Sequence, residues 1–242
     1  MNLQGENEMK GIIKLKDLDL AETLDCGQAF RFEKQEDGSF FGIVLDKPIH
    51  ITKVEDGFMF DGGGDEAFWR DYFDVDTDYG ELKKSYSSDK TLKSACEYAS
   101  GIRLLRQDAF EALISFIISQ NNNIPRIKGI IGRLCENFGN KCEGGYTFPT
   151  VEKLSKVTEE ELSVIRAGFR AKYIVDAVSK INSGEINLDE IRNMPIDEAR
   201  KALMTIKGVG PKVAECVLLY GMHRVEAFPL DVWMKRVMEE YY

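Results

Sequence analysis

Two residues near the end of the chain have the types that carbon–nitrogen chemistry needs. Lys212 follows the run Ile206-Lys207-Gly208-Val209-Gly210-Pro211, and Asp231 closes the run Phe228-Pro229-Leu230-Asp231. Lys212 falls in the first turn of a helical pattern that begins at Pro211. A cation there faces the positive end of the helix dipole, a poor place for a purely structural lysine. The same field favours the neutral amine, and a neutral amine attacks carbonyl-like carbons. Asp231 precedes the helical pattern Val232–Tyr241. It reads either as a plain N-cap or as a carboxylate facing the lysine across the hairpin.

The elements that position this pair are legible in the same stretch. Ile196 to Met204 carries apolar residues at helical spacing, and Val213, Cys216, Val217 and Tyr220 recur at that spacing beyond the glycines. Gly208 and Gly210 allow a tight hairpin between the two helices. Pro211 suits a first helical turn, where its missing N–H is no loss. Helix, glycine hairpin and helix together expose backbone N–H groups at a positive helix end, which is a cradle for phosphate. Gly208, Gly210 and Val213 are the expected contacts. The bland alternative is an αα-hairpin with a glycine-rich turn.

Two further stretches narrow the reading: Gly101-Ile-Arg-Leu-Leu-Arg-Gln-Asp108 followed by Ser119-Gln-Asn-Asn-Asn-Ile124, and Cys26-Gly-Gln-Ala-Phe-Arg-Phe32. A helix-hairpin-helix, a Gly/Pro-rich loop and then an aspartate resemble the helix-hairpin-helix DNA glycosylase superfamily. The lysine after Gly-Val-Gly-Pro and the two upstream stretches resemble its 8-oxoguanine DNA glycosylase/AP lyase branch. The three stretches lie in order and span most of the chain.

The resemblance implies a base flipped out of the duplex into a pocket. Lys212 then attacks C1′ of the deoxyribose, and a Schiff base permits β-elimination. Asp231 orients or deprotonates the amine and stabilises positive charge developing on the sugar. Gly27 resembles the glycine whose carbonyl accepts the N7 hydrogen of 8-oxoguanine, a hydrogen that guanine lacks. Cys216, one turn after Lys212, would lie near the base, though a small core residue is as good a reading of it. Asn121, Arg126, Phe169 and Arg170 match positions that fill the gap left by the flipped base and read the opposite cytosine. Two departures stand out: Phe169 replaces the usual tyrosine, and Trp233 stands where many eukaryotic members carry a phosphate-contacting histidine. Members also have a further C-terminal helix that supplies a glutamine and a phenylalanine to the pocket, whereas this sequence stops at Tyr242. The family often holds a cation on hairpin carbonyls, here Met204, Ile206 and Val209, but the resemblance implies no required cofactor. It implies a monomer acting on double-stranded DNA that contains 8-oxoguanine, in the cytoplasm and nucleoid of a bacterium or in a eukaryotic nucleus.

Composition is compatible with this. The net charge of −9 argues against a nucleic-acid partner until its distribution is seen. Residues 1–110 hold 14 Lys+Arg against 23 Asp+Glu, whereas residues 111–242 hold 18 of each, so the excess acid lies wholly in the N-terminal part. A binder that works through backbone N–H groups needs fewer basic side chains than an electrostatic one. The five cysteines are scattered and form no metal-binding spacing, which reads as reduced thiols in an intracellular protein. No apolar window reaches membrane-spanning length, and the polar N-terminus lacks the apolar core of a signal peptide.

The expected class is α+β: an N-terminal antiparallel β-sheet domain plus a mainly helical helix-hairpin-helix domain. Residues 1–10 read as a flexible tail. Residues 11–105 read as a β domain with helices, its strands falling over Gly11–Lys16, Ala29–Lys34, Phe40–Leu45, Ile49–Val54 and Phe58–Phe60 between turn signals. Residues 106–242 read as helical, with the helix-hairpin-helix at about 196–222 and the aspartate loop after it. Residues 139–150 read as a loop and Gly168 as a helix C-cap. Two competing functions remain open at this point: a glycosylase of the same fold for another damaged base, and a noncatalytic helix-hairpin-helix DNA-binding module.

Overall fold

The computed structural model describes residues 8–242. The expected tail falls largely on residues 1–7, outside the described residues, and its last three residues, Glu8, Met9 and Lys10, instead belong to the first strand, β1 (Glu8–Ile13). The chain divides into two compact units, residues 1–106 with 142–144, and residues 107–141 with 145–242.

The first unit is a five-stranded antiparallel sheet. After β1 come α1 (Leu20–Leu24), β2 (Phe32–Lys34), β3 (Phe40–Val44), β4 (Lys47–Val54) and β5 (Gly57–Gly63), in the spatial order β1-β5-β4-β3-β2. The β3–β4 hairpin turns at Leu45-Asp46 and the β4–β5 hairpin at Glu55-Asp56, with Val44 opposite Lys47 and Val54 opposite Gly57; the sequence pointed to Asp46-Lys47-Pro48 for the first turn, but Lys47 and Pro48 already pair in β4. Alternation puts Phe40, Ile49, Ile51, Phe58 and Phe60 into the core. Helix α2 (Glu66–Tyr72), capped by the Asp65 carboxylate, packs Trp69 and Tyr72 onto that face, and Phe60 meets Phe73 edge-on at 5.4 Å. Burial of each large apolar side chain contributes about 1.5–3 kcal/mol. Helices α3 (Tyr79–Ser85) and α4 (Lys90–Tyr98) follow.

Strand β2 begins at Phe32 rather than Ala29. Gln28 is buried, and its Nε2 donates to the carbonyls of Thr23 (2.9 Å) and Arg103 (2.8 Å) while its Oε1 accepts the Leu105 N–H at 3.0 Å. Those bonds hold residues 26–31 against the 101–106 segment instead of in a ladder. The same segment is fixed from the other side by Arg103. Its guanidinium lies 4.0 Å from the Tyr79 ring centre and donates to the carbonyls of Phe73 and Thr77, both at 3.0 Å, and of Asp74. Arg106 pairs with the Asp74 carboxylate at 2.7 Å. Burial works against the charge on Asp74, but Arg106, Thr77 and Tyr79 outweigh it and hold the carboxyl below its ordinary range.

The second unit is helical. Helix α5 (Ala109–Ser119) is buried almost all round, from Ala112 to Ile118. Helix α6 (Ile124–Phe138) follows, then a small hairpin of β6 (Lys141–Cys142) and β7 (Gly145–Tyr146) where a loop was expected. Two-residue strands are too short to leave a period in the sequence. Next come α7 (Val151–Leu154), two 3₁₀ turns, α8 (Ala171–Asn182), α9 (Leu188–Asn193), α10 (Ile196–Met204) and α11 (Pro211–Cys216). Helix α11 continues as a π-helical stretch over Val217–Gly221, and α12 (Val232–Tyr241) ends the chain. Arg166, not Gly168, takes the left-handed cap, at φ 59°; Gly168, at φ 61°, begins the next turn.

Candidate active site

Helices α10 and α11 enclose the hairpin 205–210. Gly208 has φ 78°, and a Cβ there would lie 2.4 Å from the Tyr173 ring, so both conformation and space demand glycine. Gly210 is different: its φ is −93°, and an added Cβ would meet nothing within 4 Å. Nothing inside the fold accounts for that glycine. Among the described residues no side chain caps α11. Among the described residues, no hydrogen bond takes up the N–H groups of Gly208, Gly210 or Val213. They present the anion-binding end that a phosphate requires. Of the carbonyls expected to hold a cation, that of Ile206 accepts the Val209 N–H at 3.0 Å. Among the described residues no cluster of His, Cys, Asp or Glu could hold a metal ion.

Lys212 is the second residue of α11 and half-buried, with its Nζ 5.3 Å from the centre of the Phe116 ring. Phe116, on α5, stacks with Tyr220 at 5.3 Å, so an aromatic wall limits where the amine can point. Cys216 is buried one turn on. Burial pushes its thiol up; the charge of Lys212 and a hydrogen bond with it pull the other way, while Asp231 and Glu215 add to the rise. Lys212, Cys216 and Asp231 therefore share one electrostatic neighbourhood. Asp231 is half-buried and caps α12, its Oδ1 accepting from the N–H groups of Trp233 (2.9 Å) and Met234 (2.8 Å). Among the described residues only Oδ1 accepts a hydrogen bond, so the capping role does not occupy Oδ2.

A second cluster forms at the turn between α5 and α6. Asn123 caps α6 by accepting the Arg126 N–H at 3.0 Å, and the Asn122 amide bonds back to the Ile118 carbonyl. Asn121, between the two helices, is exposed, takes a left-handed φ of 48°, and among the described residues its side-chain amide makes no hydrogen bond. Asparagine tolerates that conformation better than most residues. Arg170 is buried beneath it. Its Nε donates to the Gln120 carbonyl at 2.9 Å, its Nη1 to Ala167 at 3.1 Å and its Nη2 to Asn121 at 3.0 Å. Burial, then the charge of Arg126, lowers the Arg170 pKa from its ordinary value. Phe169, about half exposed, lies 4.5 Å from the Arg170 guanidinium and meets Tyr173 edge-on at 5.9 Å. The fold thus gathers Asn121, Arg126, Phe169 and Arg170. In this structure Arg170 clamps the turn, and Arg126 is the exposed cation beside it.

Gly27, in the first unit, has φ 90°, and among the described residues its carbonyl oxygen accepts no hydrogen bond. Gln28 beside it carries the local structure, so an acceptor is left open on a fixed backbone. Trp233 is exposed, with the Arg236 guanidinium 4.9 Å from its ring centre. Sequence reasoning missed Phe116 and Glu215. Neither gives a signal, since an apolar residue in an apolar helix and an acid in a helix are both ordinary.

The chain thus carries a lysine on the second helix of a helix-hairpin-helix and a capping aspartate that opens the next helix. Residues 114–242 match the family described as HhH-GPD superfamily base excision DNA repair protein, and residues 11–113 match the 8-oxoguanine DNA glycosylase N-terminal domain. The chain belongs to the HhH-GPD superfamily, in the branch that carries the 8-oxoguanine DNA glycosylase N-terminal domain. It is 33% identical to the N-glycosylase/DNA lyase of Saccharomyces cerevisiae, over 95% of this chain and 70% of that one. It is 34% identical to the N-glycosylase/DNA lyase OGG1 of Arabidopsis thaliana, over 93% of this chain and 66% of that one. The structure resembles the Clostridium acetobutylicum 8-oxoguanine glycosylase/lyase in complex with double-stranded DNA containing cytosine opposite 8-oxoguanine. The TM-score is 0.91 at 40% identity, covering 98% of this chain and 87% of that one. Among the described residues no helix is long and apolar enough to cross a membrane.

Proposed function

We propose that the protein is a bifunctional DNA glycosylase and abasic-site lyase that excises 8-oxoguanine from duplex DNA. The observation that carries this reading is the placement of Lys212 in the first turn of α11, with Cys216 one turn on and Asp231 capping α12, beside a hairpin whose N–H groups are unpaired among the described residues. The hairpin holds a phosphate of the damaged strand, which sets the register of the duplex. The Lys212 amine forms a bond to C1′ as the glycosidic bond to the base breaks, and the base leaves with that electron pair and a proton. Oδ2 of Asp231 takes up the proton of the attacking amine, passes it to the departing base, and stabilises the positive charge spread over C1′ and the ring oxygen. The sugar ring opens to a Schiff base. Loss of a C2′ proton expels the 3′ phosphate, and water then frees the lysine.

Gly27 offers its open carbonyl to the N7 hydrogen of 8-oxoguanine. Guanine presents a lone pair there, and two facing acceptors in a dry pocket are costly. Asn121 fills the space of the flipped base, Phe169 wedges beside the opposite base, and Arg126 reads that base as cytosine, with Arg170 holding the turn beneath them. The protein acts as a monomer without a required cofactor, and its place in the cell is with DNA. A cation on the carbonyls of Met204, Ile206 and Val209 would strengthen the phosphate site without entering the chemistry.

Borohydride trapping tests the reading. The protein is incubated with duplexes carrying 8-oxoguanine opposite each of the four bases, reduced, and examined for a covalent protein–DNA band. The band is expected with wild type, strongest opposite cytosine, and absent with Lys212→Gln. A band with an abasic duplex but none with 8-oxoguanine refutes the substrate; no band with either refutes the Schiff-base lysine.

A further inference from the structure

We infer that Glu215 is a positioning residue for Asp231, tying the loop that carries the aspartate to the helix that carries Lys212. The inference rests on the function proposed above.

Glu215 lies three residues after Lys212 and is only 7% exposed. A carboxylate out of water is unfavourable unless it is paired and hydrogen-bonded. Its two oxygens are used differently. Oε1 takes the Arg200 guanidinium from α10, which Asp197 grips from its other side. Oε2 accepts the backbone N–H of Phe228 at 2.7 Å. Phe228 is the first residue of the Phe228-Pro229-Leu230-Asp231 loop.

That loop has little else to hold it. It has no regular secondary structure, and the side chains of Phe228 and Leu230 are about half exposed. Its far end is fixed by the capping bonds of Asp231 to α12. Helix α12 buries none of its own residues, so it is a weak anchor. Its near end is fixed by Ala227, which is buried, and by the Glu215 bond. The Glu215 side chain is thus a direct hydrogen-bonded link between α11 and the aspartate loop. Arg200 does not explain the arrangement by itself. It is partly exposed and already paired with Asp197, so charge balance on Arg200 alone would not require Glu215 to reach Phe228.

The test is a double-mutant cycle on the full chain. Single-turnover excision of 8-oxoguanine and DNA affinity are measured for Glu215→Ala in the wild-type and Asp231→Asn backgrounds, with amide hydrogen exchange at Phe228 as a structural readout. Glu215→Ala is expected to slow excision roughly 10- to 100-fold, the scale of a reacting group displaced by about 1 Å. DNA affinity is expected to stay within about twofold, and exchange at Phe228 to accelerate. In the Asp231→Asn background the same substitution should add less than about twofold, because a residue that acts through Asp231 has nothing left to position. Glu215→Gln keeps an acceptor oxygen for the Phe228 N–H and should recover most of the rate. It also carries the cycle should Glu215→Ala not fold. Equal losses in the two backgrounds, or an undiminished rate in Glu215→Ala, overturn the positioning role alone. A wild-type protein inert toward both 8-oxoguanine and abasic duplexes overturns the proposed function and the positioning role with it.

Discussion

Gly208 and Gly210 stand two residues apart in one hairpin and should fail in opposite ways when given a methyl group. Gly208→Ala puts a Cβ on a residue at φ 78°, which costs about 1–2 kcal/mol for an L side chain. The same Cβ would sit 2.4 Å from the Tyr173 ring, an overlap that core overpacking places at about 1–3 kcal/mol. The sum is a loss of about 2–5 kcal/mol in stability. Gly210→Ala meets open space at φ −93°. Its smaller N-cap preference and the reduced freedom of its unfolded chain nearly offset, so stability should move by less than about 1 kcal/mol. Function should reverse the order of interpretability. If a phosphate approaches the hairpin backbone, the Gly210 methyl stands in its way, and affinity should fall roughly tenfold, the equivalent of about 1.4 kcal/mol. Urea denaturation gives the stabilities. Fluorescence anisotropy with a duplex bearing an uncleavable abasic analogue gives the affinities, at one fixed salt concentration because phosphate binding is salt-dependent. A Gly210→Ala protein that is stable and binds DNA as wild type does would falsify the cradle. One that is as unstable as Gly208→Ala would show that the open space beside Gly210 is not real.

The other predictions concern the framework under the site. Gln28→Ala leaves the buried Leu105 N–H without its acceptor and takes a donor from the Thr23 and Arg103 carbonyls, so unfolding free energy should drop by about 2–4 kcal/mol in urea; a change under about 1 kcal/mol would show the three bonds to be unimportant. Arg170→Met removes the clamp on the Gln120 and Asn121 carbonyls, and proteolysis or amide exchange at residues 119–123 should increase while the Lys212-dependent trapping of an abasic duplex persists. Asp74 has a folded pKa below its unfolded one, so it adds stability at neutral pH that is lost as pH falls below about 4, through the depressed folded pKa. Asp74→Asn should therefore lower the melting temperature at pH 7 and flatten its decline on the acid side. Identical acid limbs for the two proteins would assign acid unfolding to other carboxyls.

Local rules carried the sequence reading a long way. The turn residues Glu55-Asp56-Gly57 placed one hairpin, and Asp46-Lys47-Pro48 placed another to within a residue or two, because turn chemistry acts within four residues. The helix-hairpin-helix was legible for the same reason: glycines, a proline at the first helical turn and apolar spacing are all short-range. Helix α1 was not legible, since five residues are too few to show a period. The site divided along the same line. Lys212 and Asp231 stood out because their places, at a helix start and a cap, are written next to them, whereas Asn121 was singled out only by its likeness to a family position. The Gln-Ala-Phe-Arg stretch and the Arg103–Arg106 stretch were noticed for their likeness to a family, but composition and periodicity gave no hint that Gln28 and Arg103 would be buried framework.

The sequence by itself determined the α+β order, the hairpin between α10 and α11, and the positions of the lysine and the aspartate. Each follows from dihedral preference, capping or apolar period, forces that act over one or two turns of chain. Only the tertiary structure decided which polar residues are buried and what each holds. Arg103 reaches back to Phe73, Arg170 to Gln120 and Gln28 forward to Leu105, all tens of residues away. A polar side chain enters a protein interior only if partners meet it there, and those partners come from other elements, brought close by packing that neighbouring residues do not encode.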